Sequence, residues 1–329
     1  MFLHNLDTTI KEPFASNPAV LDAVEKNHKK LQIAMTKLYP GNLVLSLSSG
    51  IMYHRLVDRI TALNDVPREP LVPRRLGKNM CVPFGKILRG KVVPNTVTKT
   101  LHTDKVYEPD LNSFTIEPFP YYSPLKSQIE TIKSFDRPVI LVDDLVHTAN
   151  RLQVLVPQLR EDGIPIKKVV VGVLSGYGRD LMQCLKVPVE SIYSMPNLRQ
   201  WFVESTLYPF IGGDTVRREE MKVAGLQPSI NMILPYATPR LSGCSREALV
   251  EFSACCIENS RDLFQVLEAE YRKMYAKNLT LSRLSEAVIL PLCPDKGSCM
   301  EYDENLAASV YLENDLETLW RMKEFLIKG

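Results

Sequence analysis

At 329 residues the chain is long for one compact domain, so one large domain plus an addition is expected. An apolar fraction of 45% suffices for a real core. A net charge of only +2 argues against a dedicated nucleic-acid binder, whose balance is strongly basic.

The first residues, MFLHNLDTTIKEPF, show no basic start followed by an apolar run, so no secretory signal is expected. No stretch reaches about 18 uninterrupted apolar residues, and no membrane partner is expected. The seven cysteines (81, 184, 244, 255, 256, 293, 299) form an odd set without repeated spacing. They read as reduced thiols of a cytoplasmic protein. Cys293 and Cys299 are completed by no His or second Cys pair, so no zinc site is assigned and no metal-ligating residue is named.

Residues 18–38 carry apolar positions at helical spacing and stop at Tyr39-Pro40-Gly41, which predicts a helix. Leu43 to Leu47 then read as a buried strand, with Ser48-Ser49-Gly50 as a tight turn into a helix at IMYHRLVDRI. Residues 64–79, rich in Pro, Arg and Gly, form an exposed connection. Two β-like runs follow, Met80–Leu88 and Val92–Leu101, joined by a short Arg89-Gly90-Lys91 turn. From Pro67 to Lys105 there are nine Lys/Arg against two acids, a local balance of +7 that suits a small polyanion. His102–Ser127, with its prolines and aromatics, reads as a long functional loop holding at most one short strand.

RPVILVDDL is a continuous apolar strand stopped by two acids, followed by the helix-like RLQVLVPQLRED. IKKVVVGVLSG is another buried strand, with a helix near Gly178–Leu185 after it, and VPVESIYSM a third strand. Such alternation predicts a parallel sheet covered on both faces. Trp201, Phe202, Tyr208 and Phe210 form either an aromatic lid or, as aromatics at such density more often do, core. Ser245 can cap a long helix through Asn278, with Ala248, Leu249, Phe252, Cys256, Leu263, Leu267, Tyr271 and Met274 buried. Two more helices are expected around 281–290 and 314–327. The expected organisation is an N-terminal helical segment (1–40), an α/β domain (41–215) and an α-helical C-terminal region (216–329), which leaves a lid, a homodimer interface or a partner dock as its role.

The segment Val139–Arg151, VILVDDLVHTANR, carries the chemistry. In open α/β sheets ligands bind beyond the carboxyl ends of strands, where a carboxylate pair can accept hydrogen bonds from vicinal ribose hydroxyls. A small-residue turn entering a helix offers backbone N–H groups and a favourable dipole to phosphate. The bland reading is a strand end whose second acid caps a turn.

This pattern resembles the phosphoribosyl pyrophosphate (PRPP) motif of the type I phosphoribosyltransferases: four apolar residues, two acids, two apolar residues, then a short Thr/Gly/Ala loop. The resemblance implies a Rossmann-like, parallel-sheet phosphoribosyltransferase-like fold over about 43–215. It implies that Asp143 and Asp144 hold the ribose hydroxyls, and that Thr148, Ala149, Asn150 and Arg151 surround the 5-phosphate. Ser48, Ser49 and Gly50 would be the pyrophosphate loop, or else an ordinary capped turn. Lys86, Arg89, Lys91, Lys99, His102 and Lys105 lie where the family has its catalytic hood, with Lys99 and Lys105 the preferred charge partners, or else on a solvated hairpin edge. Three positions depart from the family. Asn150 stands where Gly is frequent and is expected to supply the positive φ. Arg151 replaces a Thr, adding a cation. His147 takes the place of an acid that works near the base. The activity implied is transfer of a 5-phosphoribosyl group to a base-like acceptor, with Mg²⁺ held mainly through substrate phosphates. The alternative is a non-catalytic sensor of PRPP or a nucleotide. A diphosphokinase would need two tandem copies, which the helical C-terminus argues against.

Overall fold

The computed structural model describes the chain except residues 89, 219–224, 240, 242, 297–301 and 329. In chain order the elements are β1 (Phe2–His4), α1 (Pro18–Leu38), β2 (Ser46–Ser48), α2 (Ser49–Leu63), β3 (Met80–Pro83), β4 (Val97–Thr98), β5 (Thr103–Tyr107) and β6 (Phe114–Pro118). There follow α3 (Leu125–Lys133), β7 (Val139–Val146), α4 (Asn150–Glu161), β8 (Ile166–Ser175), α5 (Gly176–Cys184) and β9 (Val189–Met195). The last third holds β10 (Phe202–Val203), α6 (Glu204–Leu207), β11 (Asp214–Val216), β12 (Gln227–Ile230), α7 (Arg246–Tyr275), β13 (Leu292–Pro294) and α8 (Ala308–Lys328). This is a mixed α/β protein whose sheets are mostly parallel. No helix among the described residues is long and apolar enough to cross a membrane.

The chain forms two compact units that are interleaved in sequence. One is Met1–Leu47, Val106–Phe114 and Trp201–Gly329; the other is Ser48–Lys105 and Thr115–Gln200. The division differs from the consecutive 1–40, 41–215 and 216–329 segments read from the sequence. Its cause is packing: α1 lies against α7, and its Leu31, Met35 and Leu38 share one apolar core with Phe252, Leu263 and Leu267.

In that first unit α1 begins at Asn17, whose side chain accepts from the Ala19 and Val20 amides, with Pro18 pre-setting the first turn. Helix α7 begins where Ser245 accepts from the Ala248 amide. Phe252, Cys256, Leu263, Leu267 and Tyr271 are buried as expected, but Met274 is exposed. Phe202, Tyr208 and Phe210 are core residues, not a lid. The expected helices near 281–290 and 314–327 are a 3-10 turn at Leu281–Glu286 and α8.

The second unit is built on a parallel sheet of order β4-β3-β7-β8-β9. β7 (VILVDDLV) and β8 (IKKVVVGVLS) are β-branched runs whose central residues are fully buried, as a sheet covered on both faces requires. Helices α4 and α5 supply Leu152, Leu155, Val156, Leu159 and Met182 to its core.

Three expectations are corrected here. Leu43–Leu47 is not a buried strand: Leu43 is 82% exposed, and only Ser46–Ser48 pairs, at the edge of the sheet β10-β1-β2. Met80–Leu88 and Val92–Leu101 do not form a hairpin. Asn95 takes φ 51 and breaks the second run, and β4 pairs parallel to β3, Met80 opposite Val97. Residues 102–127 are not one long loop, because they contain β5, β6 and the start of α3.

Candidate functional site

Within the second unit, the strands of its sheet run first β3, then β4, β7, β8 and β9, while their spatial order is β4-β3-β7-β8-β9. In sequence rank this is 2-1-3-4-5, the doubly wound order of flavodoxin-like folds. The chain leaves β3 towards one edge and returns to continue towards the other, so the switch point falls between β3 and β7. A crevice outside the carboxyl ends of these two strands is where such sheets hold ligands.

Two segments meet there. One is the loop Phe84-Gly85-Lys86-Ile87 after β3; the other runs from Asp143 to Arg151. The Phe84 amide extends the ladder by donating to the Val142 carbonyl at 3.0 Å. Asp144 then fastens the loop: its Oδ1 accepts from the Ile87 amide at 2.8 Å and its Oδ2 from the Lys86 amide at 3.3 Å. Asp143 is buried, and its Oδ1 accepts from the Asp144 amide at 2.8 Å.

Neighbours on a strand normally point to opposite faces. Here both carboxylates converge on Gly85. A Cβ built at that glycine would lie 2.1 Å from Asp143 Oδ1 and 2.8 Å from Asp144 Oδ1. Glycine lets the loop lie directly on the paired acids, which any side chain here would have to displace.

β7 continues through the acids to Val146, two residues beyond the expected strand stop. After it, His147 Nδ1 lies 2.8 Å from Ser175 Oγ at the end of β8, and that hydroxyl also accepts from the Gly178 amide at 2.9 Å as the cap of α5. Thr148 is exposed. The positive φ falls on Ala149 (φ 51, ψ 22), not on Asn150, which is already the first residue of α4. No side chain caps α4, whose first amides have no intrahelical partner. In its first turn the buried Arg151 Nε has no hydrogen-bond partner. Uncapped amides, the positive helix end and Arg151 therefore belong to one turn.

No family model matches this chain, and no curated protein matches it. Solved structures do: the purine phosphoribosyltransferase from Pyrococcus horikoshii Ot3 is similar over 53% of this chain and 90% of that one, at 12% identity and a TM-score of 0.28. At that TM-score the likeness adds nothing to what the strand order and the switch-point residues carry.

The structure thus brings together Asp143, Asp144, His147, Thr148, Ala149, Asn150 and Arg151 on one segment beside Lys86. Ser48, Ser49 and Gly50 take the capped-turn form of the two readings. The Ser48 hydroxyl caps α2 by accepting from the Ile51 amide, Ser49 is buried, and the preceding strand belongs to another sheet. The first turn of α2 still reaches this sheet. Met52 Sδ would lie 2.0 Å from a Cβ on Gly172, whose other close neighbour is the Asp144 carbonyl oxygen.

Of the basic residues, Lys86 and Lys99 are exposed, and the Lys99 amide donates to the Cys81 carbonyl alongside β3. Lys105 lies in β5, a strand of the sheet β13-β12-β11-β5-β6. His102 stacks on Tyr122 with ring centroids 3.8 Å apart, Lys91 sits over the Tyr53 ring, and Arg89 lies outside the described residues. The residues missed in sequence are Phe84, Gly85 and Ile87. Their signal was a Gly-Lys pair directly after the apolar run Met80–Phe84.

Proposed function

We propose that the second unit binds a ribose 5-phosphate group, carried by PRPP or a nucleotide. The observation that carries this reading is the convergence of Asp143 and Asp144 at the β3/β7 switch point, five residues before the uncapped helix end at Ala149. Vicinal hydroxyls donate to carboxylates. Phosphate takes the amides of the α4 first turn and the Arg151 guanidinium. In this reading the diphosphate falls to the loop Phe84–Ile87, with Lys86, and not to Ser48–Gly50.

The reaction proposed is displacement at the ribose C1 carbon by a base-like acceptor, with pyrophosphate leaving. The chain's own groups act by positioning and by balancing charge, with Lys86 and Lys99 on the leaving side and His147 towards the acceptor. Among the described residues no trio of metal-ligating side chains gathers at this switch point. In this proposal Mg²⁺ rides on the ligand's phosphate oxygens and water. A sensor without catalysis is the second reading. It is favoured by the Ser48 hydroxyl serving as a helix cap and by Asp144 accepting from two loop amides.

Calorimetry on the full chain tests binding, using PRPP with Mg²⁺, ribose 5-phosphate, ribose and inorganic phosphate. Binding of the phosphorylated sugars, lost in Asp143→Asn with Asp144→Asn while the protein stays folded, is expected; unchanged affinity rejects the site. Pyrophosphate release across a panel of bases then separates enzyme from sensor.

A further inference from the structure

In the first unit a second constellation stands apart from the ribose-phosphate reading and does not rest on it. His4 at the end of β1, His28 in the middle of α1 and Glu204 at the start of α6 bring three ligand atoms within 4.8 Å of one another. Glu204 is fully buried, a position carboxylates take only when paired or holding a cation. Its Oε2 lies 3.3 Å from His4 Nδ1 and 2.7 Å from His28 Nε2. The latter pair is close but not directed as a hydrogen bond, so the buried His28 Nε2 has no hydrogen-bond partner.

The surroundings hold these ligands as an outer shell holds those of a metal. His4 Nε2 is bound to Ser46 Oγ, which leaves Nδ1 turned to the carboxylate. Glu204 Oε1 accepts from Tyr208 Oη at 3.1 Å, and Tyr208 Oη accepts from Asn259 Nδ2 at 2.9 Å. Beside each ligand the backbone is locked by a buried reciprocal pair. Asn5 Nδ2 donates to Ser205 Oγ and the Ser205 amide to Asn5 Oδ1; Asn27 Nδ2 donates to the Asn259 carbonyl and Asn259 Nδ2 to the Asn27 carbonyl.

We propose that His4, His28 and Glu204 bind one divalent transition-metal ion, best zinc, clipping β1 and α1 to α6. Two imidazoles and a carboxylate suit zinc and its neighbours, and imidazole argues against Mg²⁺ or Ca²⁺. A tetrahedral ion with bonds of about 2.0–2.2 Å sets its ligand atoms about 3.3–3.6 Å apart. The His4–Glu204 separation of 3.3 Å already meets this. The His28–Glu204 separation must open by roughly 0.6 Å on that same geometry, and the His28 side chain, 28% exposed, has room to turn. Three protein ligands leave a fourth position for water, and such an ion stabilises the fold it clips.

The test uses the full chain stripped with a chelator, then titrated with Zn²⁺ by calorimetry and with Co²⁺ by visible absorption. One ion per chain, a four-coordinate Co²⁺ spectrum and a Tm that rises with Zn²⁺ are expected. His28→Gln should weaken binding by more than about 100-fold, beyond the roughly 10–100-fold that loss of an outer-shell partner produces. Ser46→Ala should fall within that smaller range. Glu204→Gln is expected to abolish binding. If it does not fold, His28→Gln and His4→Gln, checked by circular dichroism, carry the decision. Failure to take up one ion, equal affinity in the histidine variants, or a sulfur-to-cobalt charge-transfer band pointing to cysteine would each overturn the proposal.

Discussion

Gly85→Ala isolates the feature on which the ribose-phosphate reading depends. The added methyl would sit 2.1 Å from Asp143 Oδ1, where ordinary contact begins at 3.4 Å, so the overlap exceeds 1 Å. The carboxylates are pinned by the Asp144, Lys86 and Ile87 amides, and relief must stretch or break some of those bonds. A hydrogen bond to a charged group contributes about 1.5–3 kcal/mol. Lys86 is exposed and Asp144 half-buried, so water replaces part of what is lost. The expected cost is about 2–4 kcal/mol, overpacking included. At roughly 2–4 °C per kcal/mol, Tm falls by about 5–15 °C. Affinity for the phosphorylated sugar should fall at least about tenfold, equivalent to about 1.4 kcal/mol.

Gly90→Ala is the matched control in the same connection. It has φ +72 but open space around a Cβ, so it bears only a conformational cost of about 1–2 kcal/mol. Differential scanning calorimetry and ligand titration on both variants decide the matter. If Gly85→Ala binds like the parent, or loses no more stability than Gly90→Ala, the aspartates do not converge on Gly85 as described.

Gly178→Ala should destabilise by about 2–3 kcal/mol in urea unfolding, because its Cβ would meet the Val146 carbonyl oxygen at 2.3 Å, a backbone atom that cannot rotate away. Ser175→Ala removes the cap of α5 and the partner of His147; a loss of about 1 kcal/mol is expected. At Asp262, burial pushes the carboxyl up, but hydrogen bonds from Lys30 and Arg261 outweigh it and hold the group below its ordinary value. The stability it contributes is therefore present above the unfolded value near about 4 and is lost as pH falls. Asp262→Asn should cost about 0.5 kcal/mol at neutral pH, solvent screening keeping it small, and nothing at acid pH.

Much of this fold was legible because its signals are local. Ser245 is a cap from which the start of α7 follows, and the apolar spacing of residues 18–38 gives α1. The β-branched runs of β7 and β8 cannot face water on either side, so a covered parallel sheet followed. What escaped is non-local. The period of two is common to a hairpin and a parallel pair, so the pattern in Met80–Leu101 does not distinguish them; Asn95, with φ 51, interrupts the second run, and Val97–Thr98 pairs parallel to β3. The grouping of 1–47 with 201–329 depends on contacts between helices some 200 residues apart, which no window of sequence contains. The positive φ was assigned to Asn150 by residue type, yet position overrules type: α4 starts at Asn150, so the turn must close one residue earlier, on Ala149.

The site itself was half legible, and the missing half changes its physics. Sequence presents Asp143 and Asp144 as a pair awaiting a ligand. In the structure Asp144 already has work, since it holds the Phe84–Ile87 loop against β7, while Asp143 accepts from the Asp144 amide. Two carboxylates converging on one glycine repel each other, and donated amides offset part of that repulsion. Each carboxylate oxygen has two lone-pair directions, so the amide bonds to Asp144 leave acceptor capacity for a diol. A sugar bound there would be held by the same carboxylate that holds the loop, and the loop carries the exposed Lys86. Ligand affinity and loop order would then rise and fall together. Protection of the Lys86 and Ile87 amides from hydrogen exchange should increase with phosphorylated sugar and stay unchanged with inorganic phosphate alone. If neither ligand alters it, the aspartates are a loop fastening and nothing more.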